Sequence, residues 1–284
     1  MDINQGILDP LPIAVSDFFP GEGVPPELAQ QVSEVIASNL RRSGLFRPID
    51  KSAFSQSPEE LQAGPSFSNW TIIDAQALVS GRVDTASDGR IRVEFRLWDT
   101  LSQIQLVGLR LSSDEDRWRR IAHQISDAIF RRVTGDEGYF DTRIVYISET
   151  GPADRRVKRL AMMDQDGEGH RFLTDGSVLV LTPRFSPRVQ QITYLAYYNR
   201  KPRVYLFDIE SGRQEVLGDF PNMSFAPRFS PDGSQVIMSM AEAGNTDVFT
   251  MDLPTRQLRR LTRGPGIETS PSYAPDGSRV CFES

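Results

Sequence analysis

From Thr182 onward the chain repeats itself. Pro183, Pro227 and Pro271 are 44 residues apart, and so are Asp208 and Asp252, and Leu217 and Leu261. The register runs backward as well: Asp164 lies 44 residues before Asp208, and Leu160 lies 44 before Val204. A fixed period of about 40–45 residues, with several short strands per unit, is the signature of β-propeller blades. The spacing divides the second half of the chain into blades at about 141–181, 182–225 and 226–269, with a partial blade at 270–284.

Within a unit the chemistry is local. In Pro227-Arg228-Phe229-Ser230-Pro231-Asp232-Gly233-Ser234, proline presets φ and Asp-Gly accepts the positive φ of a tight turn. Val236–Ser239 then reads as the inner strand, Asp247–Asp252 as the next and Leu258–Thr262 as the outer one. The unit before it carries Ser186-Pro187-Arg188-Val189 at the turn, without the glycine, so a different turn is expected there. A propeller ring takes typically about 4–8 blades to close. Three and a fraction cannot close one, so this sequence is expected to be part of a longer chain.

The first half has another pattern. Residues 1–10 are poor in apolar groups and end at Pro10, an extended tail that either frays or pairs with a partner by strand addition. Residues 11–138 read as a small α/β domain. Ile13–Val15 and Phe18-Phe19 are apolar and short. Pro25-Pro26 opens a helix whose stripe is Leu28, Val32, Val35, Ile36 and Leu40. Arg41 and Arg42 suit its negative C-terminal end, and Gly44 suits its stop. Ser57-Pro58-Glu59-Glu60 is a second helix start. Ala77–Val83, the Ser87-Asp88-Gly89 turn, the alternating Ile91–Trp98 and Ile104–Leu111 predict a three-stranded meander. A last helix carries Trp118, Ile121, Ala122, Ile125, Ile129 and Val133 on one face and ends at Gly135. Helices are expected over one face of the sheet. Residues 139–284 then hold the repeats.

Several functions are disfavoured by what the sequence carries. There are 38 acidic and 32 basic side chains for a net charge of −6, and no long basic run, so nucleic acid is not an expected partner. No apolar stretch is long enough to span a bilayer, so direct membrane insertion is not expected. The single cysteine, Cys281, excludes a disulfide framework and is expected to be a buried thiol. Gly21-Glu22-Gly23 lacks the rest of a dinucleotide fingerprint. His123, with no second ligand nearby, reads as a residue at the helix's surface boundary. Asp164-Gln165-Asp166-Gly167-Glu168-Gly169, with Asp175 at the distance of a last ligand, resembles the start of a calcium loop. Its register with Asp208 and Asp252 makes it the repeat's strand-ending aspartate before a turn. No catalytic residue, cofactor or metal ligand is expected.

The order of a small α/β domain and then P-x-[FY]-[SA]-P-D-G repeats resembles the TolB family of the bacterial Tol-Pal envelope system. PLPIAVSDFF, SNLRRSGLFRPID, LVSGRV, VEFRLWDT, FDTRIVYISE and the MDQDG turn carry the resemblance across essentially the whole chain. It implies a periplasmic, non-enzymatic adaptor with a six-bladed propeller and a signal peptide, acting as a monomer within the Tol-Pal complex. It implies partners: the lipoprotein Pal on propeller loops and TolA on the N-terminal tail, in support of outer-membrane integrity and invagination at cell division. The Pal-facing positions would be Met223, Ser224, Phe225 and Ala226, and at the next repeat Glu268, Thr269 and Ser270. Met223 stands where the family has a histidine contact. Phe225 could instead cap the blade core. The TolA-facing positions would be Asp2, Ile3, Asn4, Gln5 and Gly6. The alternative is a propeller-containing serine hydrolase of prolyl-oligopeptidase type with its catalytic domain outside this chain. No G-x-S-x-G elbow is present, and the sequence has only two histidines.

Overall fold

The computed structural model describes residues 9–199, 201–218, 224–242 and 244–284. The chain divides into two compact units at Thr142/Arg143.

The first unit is a mixed sheet with helices on both faces. Its strands are β1 (Leu11–Val15), β2 (Phe19–Pro20), β3 (Phe46–Pro48), β4 (Ala77–Thr85), β5 (Ile91–Asp99) and β6 (Ile104–Ser113). Their order is β3-β1-β4-β5-β6, with β2 also on β4. The β4–β5–β6 meander is antiparallel, as the alternation predicts, while β1 runs parallel to both β3 and β4. Helices α1 (Pro26–Arg42) and α4 (Trp118–Thr134) cover one face. The α1 stripe of Val32, Ile36 and Leu40 meets Ile121, Ile125 and Ile129 of α4 and Val93, Phe95 and Leu97 of β5 in one core, all of them buried. Gly44 and Gly135 follow the two helices with φ of 74° and 82°, the left-handed stops that glycine tolerates.

Two expectations for this unit are corrected. The opposite face of the sheet is also covered, by α2 (Glu60–Ala63) and α3 (Phe67–Thr71). Trp70 is 1% exposed there and packs with Leu61, Ala14 and Leu78. Ser57 and Glu60 form a capping box at α2: Ser57 N donates to Glu60 Oε2 at 2.7 Å and Glu60 N to Ser57 Oγ at 3.2 Å. His123 is buried rather than at the surface. The Asn39 amide donates to His123 Nδ1 and to Ser126 Oγ, both at 2.9 Å, so a polar network fills the α1–α4 seam. The helical wheel placed His123 beside the apolar stripe, and Asn39 on the partner helix makes its burial tolerable. Gly81 is fixed by a close approach. A Cβ there would lie 2.4 Å from the Phe18 ring and 2.6 Å from the Glu94 carbonyl.

The second unit is a series of antiparallel sheets, each a propeller blade. The first holds β7 (Arg143–Thr150), β8 (Val157–Asp164) and β9 (Arg171–Phe172). The next is β10 (Leu179–Phe185), β11 (Gln191–Tyr198), β12 (Lys201–Asp208) and β13 (Gln214–Gly218), in that order. Then come β14 (Ser224–Phe229), β15 (Gln235–Glu242), β16 (Asn245–Asp252) and β17 (Leu258–Arg260), and finally β18 (Thr269–Tyr273) with β19 (Val280–Glu283). The innermost strands are β10, β14 and β18, which pack beside one another. The stretch Val236–Ser239, expected innermost, lies in β15, second in its sheet.

Alternation along a strand builds the stack. In β11, Ile192, Tyr194 and Ala196 join Leu160 and Met162 of the preceding blade, while Leu195 joins Val236, Met238 and Met251 of the following one. Both faces of the sheet are therefore buried against neighbours. Polar ties repeat the connection: Arg143 to Gln190, Thr193 to the Pro227 carbonyl, Arg256 to Glu215, and Tyr273 to Gln235. Cys281 is exposed, contrary to expectation. It lies on β19, paired on one side with β18, and three of that strand's four residues are exposed.

The turns depend on carboxylates. Asp232 accepts from the Ser230 hydroxyl and from the amide and hydroxyl of Ser234. These bonds hold its carboxyl down at about 2. Asp276 is held low by Ser278, Asp208 by Ser211 and Asp175 by Ser177, through a backbone and a side-chain hydrogen bond each, and Asp252 by Thr255 in the same way. In the glycine-less turn, the Ser186 hydroxyl instead accepts weakly from Arg188 and Val189 amides, both at 3.4 Å. The closing bond is kept in both versions, from Ser186 N to Gln191 O and from Ser230 N to Gln235 O. Asp164 heads a tight turn, its carbonyl accepting from Gly167 at φ 92°, and Asp175 accepts from the amide and hydroxyl of Ser177.

A carboxyl lowered on folding contributes stability that is present above its unfolded pKa and is lost as pH falls through the folded one. The β-sheet signal of the second unit, followed by circular dichroism in urea, should therefore lose midpoint steadily from pH 5 to pH 2. D232N should show a shallower loss over that window. An equal slope in wild type and D232N would refute the role of this turn.

Candidate functional site

The positions singled out by the sequence lie where the innermost strands begin. Each of those strands carries a proline inside it. The ladder slips between Leu181 and Arg184 in β10, between Phe225 and Arg228 in β14, and between Thr269 and Ser272 in β18. Pro183, Pro227 and Pro271 sit at these bulges and are buried. Proline has no N–H to give the ladder, so a bulge is where a strand can hold it. Thr182 and Ser270, each just before a proline, have φ of 48° and 55°. Such values are uncommon for residues with a Cβ, so the backbone there is held by its surroundings.

Ser224, Phe225 and Ala226 are strand residues of β14, and Thr269 and Ser270 are strand residues of β18. They were expected in loops; the pairing that resumes on both sides of the bulge draws them into the sheet. Ser224 lies opposite Met240 and Phe225 opposite Ser239, and Thr269 lies opposite Glu283. Because β14 and β18 are neighbours, the two stretches start at one end of the blade array. Met223 and the tail positions Asp2, Ile3, Asn4, Gln5 and Gly6 lie outside the described residues.

Glu268 is the chemically informative member. It is 6% exposed, and its Oε2 has no hydrogen-bond partner. Its amide donates to the Thr246 carbonyl at 2.9 Å. Thr246 and Ile267 form an isolated parallel bridge, and the Asn245 amide donates to the Gly264 carbonyl at 2.6 Å. The segment 264–268 is thereby fastened to the start of β16. Ser270 is exposed and Thr269 half-buried, and Ile267 is 65% exposed beside them.

Sequence reasoning missed the carboxylate beneath. Asp247 on β16 is fully buried and ion-paired to Arg260, which also donates from Nε to the Thr262 carbonyl at 2.9 Å. Its other oxygen, Oδ1, has no partner. Nothing in the sequence marks Asp247 as different from an ordinary strand polar residue; only the register with Arg260 across β16 and β17 brings the charges together. A small α/β unit followed by propeller blades, with strained pre-proline positions and buried carboxylates at one end of the blades, defines a propeller protein with an α/β unit ahead of its blades.

The comparisons narrow this class. The TolB beta propeller domain family matches residues 130–284, and the TolB amino-terminal domain family matches residues 1–106. The Tol-Pal system protein TolB of Paramagnetospirillum magneticum is 55% identical over 223 residues, which is 78% of this chain and 50% of that protein. The crystal structure of TolB from Acinetobacter baumannii superposes with a TM-score of 0.79 at 30% identity, over 96% of this chain and 65% of that one. The chain belongs to the TolB family. It spans half the length of the Paramagnetospirillum relative.

Removing one partner of a buried ion pair leaves an uncompensated charge and costs about 3 kcal/mol. R260M should lower unfolding stability by that order in urea melts, and adding D247N should recover much of the loss. Additive losses in the double variant would show that the two side chains do not act as a pair.

Proposed function

We propose that this chain is a non-enzymatic adaptor of the Tol-Pal system, working in the periplasm. It engages the lipoprotein Pal at the blade end that carries Ser224, Phe225, Ala226, Glu268, Thr269 and Ser270, and through Met223, the residue before Ser224 in the sequence. It engages TolA through the tail that includes Asp2, Ile3, Asn4, Gln5 and Gly6, and so supports outer-membrane integrity and invagination during division. The observation that carries this reading is the 55% identity to a Tol-Pal system protein, joined to matches for both TolB domains. Among the described residues, no helix is long and apolar enough to cross a membrane.

The geometry supports the choice of surface. Positions held by a rigid sheet keep their shape on docking, so less ordering entropy is lost. The exposed Ser270 and Ile267 lie beside an under-bonded carboxylate at Glu268, a mixture of apolar and polar groups suited to a protein partner.

A charge placed in this surface should oppose docking. A226D and T269D are each expected to weaken Pal binding at least tenfold in surface plasmon resonance of the full-length protein. Full affinity in both variants would remove the site assignment. Deleting residues 1–10 should reduce TolA capture while leaving Pal affinity within a factor of two; unchanged TolA capture would remove the tail from the interface.

A further inference from the structure

Arg184 and Arg228 occupy the same repeat position, 44 residues apart, on the neighbouring innermost strands β10 and β14. Each stands one residue after the bulge proline, and both are half-buried. The Nε of each is shielded from solvent and has no hydrogen-bond partner. Arg184 has one contact of its own, from Nη1 to the neighbouring Pro183 carbonyl at 3.0 Å. Among the described residues no carboxylate pairs with either guanidinium. On β10 the Thr182 hydroxyl is likewise buried without a partner.

Two other arginines of the blades differ. Arg260 is paired with Asp247, and Arg256 with Glu215. A buried N–H left unbonded destabilises the fold, and more so when it is charged. Two such donors on neighbouring strands, with like charges, add mutual repulsion. Burial and the charge of Arg228 together depress the Arg184 guanidinium. A guanidinium presents donors in a planar fork that fits two oxygens of a carboxylate or phosphate.

We infer that Arg184 and Arg228, with the Thr182 hydroxyl, form a binding site for an oxyanion, a carboxylate or phosphate group, between the innermost strands. The anion would take the two unbonded Nε–H groups and cancel the repulsion. The inference does not depend on the docking of Pal. The positions belong to the repeat itself: the next unit carries Ser272 in place of arginine, so the charge pair is confined to two adjacent blades.

The test uses the full-length protein in Tris chloride buffer, with ionic strength held constant by sodium chloride. Inorganic phosphate should raise the melting temperature of wild type progressively above the chloride control, by mass action on the folded state. In R184Q and R228Q the phosphate dissociation constant, measured by calorimetry, should rise at least tenfold. Each variant should melt no lower than wild type when phosphate is left out, because a repulsive pair has been relieved. R259Q, at an exposed arginine, should keep the wild-type response. A parallel titration with glutarate distinguishes a carboxylate ligand from a phosphate one, and binding of either supports the site. No shift above chloride, or an equal shift in R184Q and R228Q, overturns the inference. So does a melting temperature that falls in both variants without anion, which would mean that a carboxylate of the protein itself already neutralises the pair.

Discussion

A proline that cannot donate to its ladder stands at the same place in β10, β14 and β18. Much of the second unit follows from that one missing N–H. The ladder must slip there, so β10, β14 and β18 each carry a bulge. The slip forces Thr182 and Ser270 into the left-handed region and brings the start of each strand to one end of the array. It also sets the residue after the proline between strands rather than in solvent, which is how Arg184 and Arg228 come to have shielded Nε atoms. The sterics of a pyrrolidine ring thus determine both the shape of a surface and the placement of charge behind it.

The two units solve burial in different ways. The first closes a sheet between helices, and a deep polar network in it, Asn39 with His123 and Ser126, is bonded across the α1–α4 seam. Among the described residues the second has no helices; each blade is covered by the next, so strands such as β11 bury both faces. That arrangement gives each blade little identity of its own. Its stability is a sum of nearest-neighbour interfaces, as in other repeat architectures. Arg256–Glu215 and Tyr273–Gln235 are parts of those interfaces, not surface decoration.

What was legible in the sequence was what depends on local pattern. The 44-residue register, the 91–98 alternation and the glycine stops at 44 and 135 gave the strands, the meander and the helix ends, because each is dictated by periodicity or by φ. What failed depended on pairing between distant segments. The parallel β1–β3 contact, the second helical layer around Trp70 and the burial of His123 beside Asn39 involve partners that no local window contains. The candidate site shows the same limit. Pro227 and Pro271 were found at once, but that Ser224–Ala226 and Thr269–Ser270 are strand residues needed the register with β15 and β19. The Asp247–Arg260 pair, 13 residues apart and joined across two strands, had no signature at all.

The carboxylate turns have a chemical consequence for the lifetime of the protein. Aspartyl-glycine sequences age by attack of the glycine nitrogen on the side-chain carboxyl, closing a succinimide that opens to a kinked isoaspartyl chain. Attack needs a free nitrogen and a carboxyl that can be protonated. In Asp232-Gly233 and Asp276-Gly277 both are withheld: the glycine nitrogens donate to the Ser230 and Ala274 carbonyls, each at 2.9 Å, and hydrogen bonds keep the aspartates ionised. The same turn that reverses the strand therefore shelters its most perishable bond, and a protein that is not renewed quickly keeps its blades in register.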